Sequence, residues 1–388
     1  MMDAVTSWHF YNPVRIQVGR GRREQLLEEL GGRRLLVVTT PRGRRQLESD
    51  DILGPLFNEN SAIFWVDNVQ ANPGLSELQA DIERLRGEVF DATVAFGGGS
   101  AIDSAKVLNV ALAETVSDLS LREMLANPDR QPTTQARPLF ALPTTAGTGS
   151  EVTPYSTVWD HEKRKKHSLA GPAVFPHTAI IDPELTDALP EGVTLSTGLD
   201  AINQAAESIW NHNMTPVSEG VATRALQLGF EALPRLLNEP GDTRARDAMA
   251  ECSLLAGLAI SQTRTALCHS ISYPITAHFG VPHGLACAFT MPAVLRHNLA
   301  ADDGRFERLA AVLDGGGSSH AALVERFEAL MKVVGVCERV REQVPSLAQL
   351  IELIGEMHTP GRAENNLTVV DEAVIERILV DSWYDEGK

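Results

Sequence analysis

Ala92-Thr93-Val94-Ala95-Phe96-Gly97-Gly98-Gly99-Ser100-Ala101-Ile102-Asp103-Ser104-Ala105-Lys106 sets an unbroken apolar run directly against three glycines and then a helix-forming segment. A strand buried on both faces of a parallel sheet has this continuous apolar character. Glycines at its end let the backbone approach a ligand closely. Ser100 and the first amides of the next helix leave N–H groups aimed at an anion. Strand, glycines and helix in that order read as a pyrophosphate cradle; a tight strand-to-helix connection is the alternative.

The flanking chain repeats the strand-helix pattern. Upstream, residues 8–18 read as an opening strand or hairpin and 23–30 as a helix. Leu35-Leu36-Val37-Val38-Thr39-Thr40 is a buried strand, Ala62-Ile63-Phe64-Trp65-Val66 another, and 75–85 a helix opened by Asn72-Pro73. Downstream, a short strand at 139–142 runs into Pro143-Thr144-Thr145-Ala146-Gly147-Thr148-Gly149-Ser150-Glu151. Hydroxyls beside flexible backbone suit phosphate and ribose, though such a run also makes an ordinary polar loop. A hairpin is expected over 156–169 and a last strand at 179–182. The spacing then changes to helices over 195–210, 217–237, 243–265, 319–334, 347–357 and 370–383. We therefore expect a Rossmann-like α/β domain over 1–185 and an all-helical domain over 186–388, with the cradle and a second site on opposite walls of the cleft between them.

The helical half carries that second site. Asp200 and Gln204 stand at i and i+4, so on a helix they share a face. His269 and His283 lie fourteen residues apart. The breakers Gly280 and Pro282 between them let the chain return and bring both imidazoles to one point. An aspartate and two neutral imidazoles suit zinc or ferrous iron, and three protein ligands with an open position describe a catalytic metal site. A helix cap and hydrogen-bonded core histidines are the alternative reading.

Composition narrows the function. A net charge of -17 over 388 residues excludes a nucleic-acid binder. The four cysteines show no paired CxxC spacing, which suits a reducing cytoplasm. No leader pattern and no membrane-length apolar run is seen, so a cytoplasmic protein with a small-molecule partner is expected.

With these residues in hand, the chain resembles the iron-containing (group III) alcohol dehydrogenases over nearly its whole length. The resemblance rests on Gly97-Gly98-Gly99-Ser100 with Asp103 and Lys106, the segment from Pro143 to Glu151, Asp182-Pro183-Glu184-Leu185, the Asp200 helix, His269, and Pro282-His283-Gly284. It implies a dehydroquinate-synthase-like fold, a homodimer, a nicotinamide dinucleotide and a divalent metal, Fe2+ or Zn2+. It also implies dinucleotide contacts at Thr40, Arg42, Gly97, Gly98, Gly99, Ser100, Asp103, Thr144, Thr145, Thr148 and Ser150, and metal ligands at Asp200, Gln204, His269 and His283.

Two departures stand out. Gln204 occupies a ligand position that is usually histidine, and Tyr273 replaces a histidine often found four residues after His269. After the first buried strand, Thr39-Thr40-Pro41-Arg42-Gly43-Arg44-Arg45 holds no acid to bind a ribose 2′-hydroxyl, which favours NADPH, with NADH as the alternative. A solvated basic helix start is the other reading of Arg44 and Arg45.

The segments around Glu207, Arg264 and Arg362 are most like the phosphonoacetaldehyde reductase branch. The expected reaction is metal-assisted reduction of an aldehyde bearing a phosphonate. Arg264, five residues before His269 on a continuous helix, is the expected phosphonate anchor, with Lys166, His167 and His278 as lesser candidates. The proton is expected from water, a ribose hydroxyl or His278. A reductase of a plain alcohol or semialdehyde, a dehydroquinate-synthase-type lyase and a non-catalytic nucleotide-binding protein are the rivals.

Overall fold

The computed structural model describes residues 7–116, 118–163, 165–313, 316–317 and 319–384. They form two compact units: Pro13–Leu189, and the residues from Pro190 onward together with 7–12. Among the described residues no helix is long and apolar enough to cross a membrane.

The first unit holds eight strands: β1 (Arg15–Val18), β2 (Leu35–Thr39), β3 (Ile63–Val66), β4 (Ala92–Gly97), β5 (Leu139–Pro143), β6 (Tyr155–Asp160), β7 (Lys165–Ala170) and β8 (Thr178–Ile181). Six of them make one parallel sheet in the order β1-β8-β5-β4-β2-β3, and β6 and β7 form an antiparallel hairpin. The apolar runs explain the sheet. Leu36 and Val38 point into one buried cluster, while Leu35 and Val37 point into the other, so β2 is covered on both faces. The opening segment is shorter than its residue types suggest. Only Arg15–Val18 pairs, while Trp8 and Tyr11 remain exposed. Both backbone groups of Tyr11 bond the side chain of Gln262, which ties this stretch to the helical unit.

Strand order fixes where a ligand can sit. The chain steps outward from β2 to β3 and then returns to β4 on the other side of β2. In an open α/β sheet the binding crevice lies outside the carboxyl ends of the strands at such a reversal. Thr40 follows β2 there, and the three glycines close β4.

The second unit is helical throughout its described length. The Glu191–Ile209, Pro216–Asn238 and Thr243–Thr263 helices pack together, and Leu267–Phe279 and His283–Phe289 follow. The expected helix over 243–265 therefore ends early. Arg264 turns into the left-handed region at φ 63° and a new helix begins at Leu267. The expected 347–357 helix also breaks, into Leu347–Ile351 and a 3-10 turn at Ile354–Glu356. Helices at Met291–Asn298, Arg305–Leu313 and Val336–Arg341 are too short to stand out in the sequence pattern.

Candidate functional site

The glycine turn sits at the carboxyl end of β4, with the Gly99–Ala111 helix starting directly behind it. Its glycines are required by the neighbouring loop. A Cβ on Gly99 would lie 2.6 Å from Thr148 Cγ2, and one on Gly98 would lie 3.1 Å from Thr145 Oγ1. The structure thus brings the 97–100 turn and the 144–148 hydroxyl loop together. Asp103 and Ser150 face each other instead of outward: Ser150 Oγ donates to Asp103 Oδ1 at 2.5 Å, and the Thr157 amide donates to Oδ2 at 2.8 Å. Lys106, fully buried, donates to the carbonyls of Thr153 at 2.8 Å and Tyr155 at 2.7 Å. These bonds brace the loop against the helix. The Asp182 carboxylate does similar structural work by accepting from Arg23 Nη1 at 2.7 Å and the amides of Gly21 and Arg23.

At the end of β2, the Thr40 side chain caps the next helix by accepting the Gly43 amide at 3.0 Å. Arg42 is exposed in its first turn. Arg44 is engaged elsewhere, with Glu48 at 2.8 Å, Asp67 at 2.7 Å and the Trp65 ring 4.6 Å beneath its guanidinium. A turn with no bulk, a helix N-terminus behind it and no acid after β2 fit a dinucleotide.

Burial behind the cradle has a measurable consequence. Desolvation pushes the Glu151 carboxyl up to about 7 and the Lys106 ammonium down to about 8. Glu151 holds its proton at higher pH in the folded than in the unfolded chain. Its favourable contribution is therefore complete below about pH 4.5 and is lost as pH rises through about 7. Glu151→Gln is expected to flatten the fall in denaturation midpoint between about pH 5 and pH 7. An unchanged slope in that window would show that Glu151 is not the group responsible.

In the helical unit, Asp200 lies on the Glu191–Ile209 helix, His269 in the first turn of Leu267–Phe279, and His283 at the first position of His283–Phe289. Gly280, left-handed at φ 72°, ends the middle helix, and Pro282 precedes the next. Gly284 then lets two backbones touch. A Cβ there would lie 1.7 Å from the Ser196 carbonyl oxygen and 3.0 Å from the Asp200 nitrogen. Only glycine permits this crossing, and the crossing sets His283 beside Asp200.

The ligand-type atoms converge. Asp200 Oδ1 is 3.3 Å from His269 Nε2, and the two imidazole centres are 5.3 Å apart. Asp200, His269, His283 and Cys287 each offer one ligand atom, all within 4.8 Å of one another. Bonds of 2.0–2.3 Å to a tetrahedral ion set its ligand atoms about 3.3–3.6 Å apart. Asp200 Oδ1 is buried and accepts no aligned hydrogen bond. A buried carboxylate oxygen in that state is costly unless a cation faces it. These residues fit a divalent metal.

Gln204 lies buried on the expected face, one turn after Asp200. Two further residues join the group. Glu207, fully buried, accepts His269 Nδ1 at 2.7 Å and the backbone amides of Ala266 at 2.8 Å and His269 at 3.1 Å. This fixes the tautomer, so that Nε2 presents its lone pair toward Asp200. Its sequence signal is the spacing Asp200, Gln204, Glu207, a single helical face. Cys287 lies one turn after His283, its sulfur 3.8 Å from His283 Nε2. Tyr273 stacks on His283 at 5.9 Å and 12°.

The remaining candidates take other partners. His278 sits nine residues beyond His269, about 13 Å along the helix, and its Nε2 is 3.0 Å from Glu356. Arg264 is not on a continuous helix with His269; it is exposed in the break, and its carbonyl accepts Thr263 Oγ1 and Asn211 Nδ2. Lys166 lies over the Trp159 ring and His167 pairs across the hairpin with Val158, both in the other unit.

Comparison with known proteins agrees with this construction. A family model described as iron-containing alcohol dehydrogenase matches residues 13–183, and one for the C-terminal part of that family matches 194–353. The chain is 30% identical over 325 residues to the NAD-dependent methanol dehydrogenase of Bacillus methanolicus, covering 82% of this chain and 84% of that protein. It is 38% identical over 260 residues to the phosphonoacetaldehyde reductase of Streptomyces viridochromogenes, covering 63% of this chain and 66%, just under two thirds, of the relative. The crystal structure of sulfoacetaldehyde reductase from Bifidobacterium kashiwanohense in complex with NAD+ superposes with a TM-score of 0.85 at 29% identity, covering 98% and 99% of the two chains. Both halves match and the relatives span most of the sequence, so the chain belongs to the iron-containing alcohol dehydrogenase family and is an NAD(P)-dependent enzyme of that type.

Proposed function

We propose that the enzyme reduces phosphonoacetaldehyde to 2-hydroxyethylphosphonate, with NADPH as the preferred reductant. A divalent ion held by Asp200, His269 and His283 would polarise the aldehyde oxygen as a Lewis acid, and the nicotinamide would supply hydride. The protein's part is placement. Asp200 brings the negative charge, Glu207 holds the His269 ring, and Gly284 lets His283 reach the same point. Tyr273 covers the face of His283, and His278 is held by Glu356, so the product hydroxyl takes its proton from water or a ribose hydroxyl.

The observation that carries the substrate assignment is the break at Arg264. A non-glycine residue at φ 63° stores on the order of 1–3 kcal/mol of strain, which persists where surrounding structure insists on it. Here it holds an exposed guanidinium between the two helices, three residues ahead of the one that bears His269. Two proteins this chain resembles are named for two-carbon aldehydes that carry a phosphonate or a sulfonate. A planar fork of N–H donors suits either oxyanion. Preference for NADPH is supported by Thr40 and Arg42 after β2, with Arg44 already committed to Glu48 and Asp67.

The test follows NADPH oxidation with phosphonoacetaldehyde, propanal and succinic semialdehyde, using wild type and Arg264→Ala. Loss of a charged hydrogen-bond pair should lower kcat/KM for phosphonoacetaldehyde roughly 10- to 100-fold and leave propanal unchanged. Equal rates on all three aldehydes would instead assign a reductase of plain aldehydes or semialdehydes.

A further inference from the structure

We propose that Cys287 is a metal ligand, a thiolate that joins Asp200, His269 and His283 around one ion. The inference rests on the metal-dependent reading above and concerns which atoms hold the ion.

The helix that carries His283 runs to Phe289, so Cys287 returns to the same face one turn later. Its sulfur lies 3.8 Å from His283 Nε2 and 3.9 Å from Nδ1. The near-equal distances place the sulfur against the ring, so a shared ion requires the thiol or the ring to turn until sulfur and Nε2 stand about 3.6 Å apart across it. Among the described residues, Cys287 belongs to a group of acid, imidazole and thiol atoms lying mutually within 4.8 Å.

The surrounding cysteines do not share this environment. Cys252 and Cys268 are buried outside this group of converging atoms. Cys287 faces two imidazoles instead. On metal binding the thiol proton is released to solvent and the sulfur lone pair forms the new bond. Thiolate is a soft donor, so the set Asp200, His269, His283 and Cys287 favours zinc or cobalt over a hard-ligand ion such as magnesium.

The experiment loads the metal-free protein with one equivalent of cobalt(II) and records its absorption, for wild type, Cys287→Ser and Cys268→Ser. A thiolate ligand gives a sulfur-to-cobalt charge-transfer band in the near ultraviolet. We expect the band in wild type and in Cys268→Ser, and its loss in Cys287→Ser with cobalt still bound. Zinc affinity of Cys287→Ser, measured by competition with a chelator, should fall at least tenfold, since even residues that only support a ligand are worth about 10- to 100-fold. Wild type that binds cobalt stoichiometrically without the band would overturn the thiolate ligand and leave the metal site standing. Wild type that binds no cobalt would overturn the metal site itself. Because both negative results are read on wild type, poor folding of the serine variant does not obscure them.

Discussion

Asp200→Ala is expected to lower kcat/KM for aldehyde reduction by on the order of 10³-fold while leaving dinucleotide affinity within about threefold of wild type. The asymmetry comes from the architecture. Asp200 lies in the helical unit, whereas the glycine turn and the 144–148 hydroxyl loop lie in the α/β unit. Asp200 is the one carboxylate among the converging ligand atoms. Two imidazoles would hold a divalent ion less tightly without it, and polarisation of a carbonyl by such an ion is worth several kcal/mol. Metal content, cofactor fluorescence titration and steady-state rates read the three consequences separately. Normal turnover by a metal-stripped Asp200→Ala protein would sink the metal-assisted mechanism. Equal loss of cofactor affinity and turnover would instead point to a folding defect.

Much of this arrangement was legible in the sequence, and the reasons are physical. Strands such as Leu35–Thr39 and Ala92–Gly97 are buried on both faces, so they read as continuous apolar runs whatever packs on them. The Leu75–Leu85 helix shows its face through its own periodicity. The convergence of Asp200, His269 and His283 followed from helix spacing and from the breakers Gly280 and Pro282. The break at Arg264 was hidden because Thr263-Arg264-Thr265-Ala266 contains neither glycine nor proline. What ends the helix there is tertiary: Glu207, 59 residues upstream of Ala266, accepts the amides that start the next helix. Arg44 reads as a free basic residue for the same reason, since Asp67 lies 23 residues away in the chain. Cys287 looks like a small apolar residue among alanines until the crossing at Gly284 places it beside two histidines.

Glu207→Gln should cost on the order of 1–3 kcal/mol of stability and weaken metal affinity about 10- to 100-fold, although it changes neither size nor shape. The two carboxylate oxygens accept three N–H groups, from Ala266, His269 and the His269 ring. A carboxamide has one oxygen. In either orientation its NH2 must face at least one of those donors, and a fully buried donor left facing another donor loses its hydrogen bond with no water to replace it. If the amide oxygen turns to the backbone donor of His269, the imidazole loses the partner that fixes its tautomer, and Nε2 no longer offers its lone pair toward Asp200 for most of the time. If it turns the other way, the His269 amide is orphaned and the helix start loosens. The first outcome orphans the Ala266 amide as well as the ring and lowers both metal affinity and stability, whereas the second leaves the ring held and lowers stability more than metal affinity. Glu207→Ala removes all three acceptors and should be destabilised by several kcal/mol. Denaturation midpoints measured with and without zinc, together with chelator competition on the folded variants, separate the two. A Glu207→Gln protein that binds zinc as wild type does, while melting lower, would confine Glu207 to holding the helix. Weakened binding in a protein whose metal-free stability is nearly intact would show that the carboxylate acts on the metal through the ring of His269.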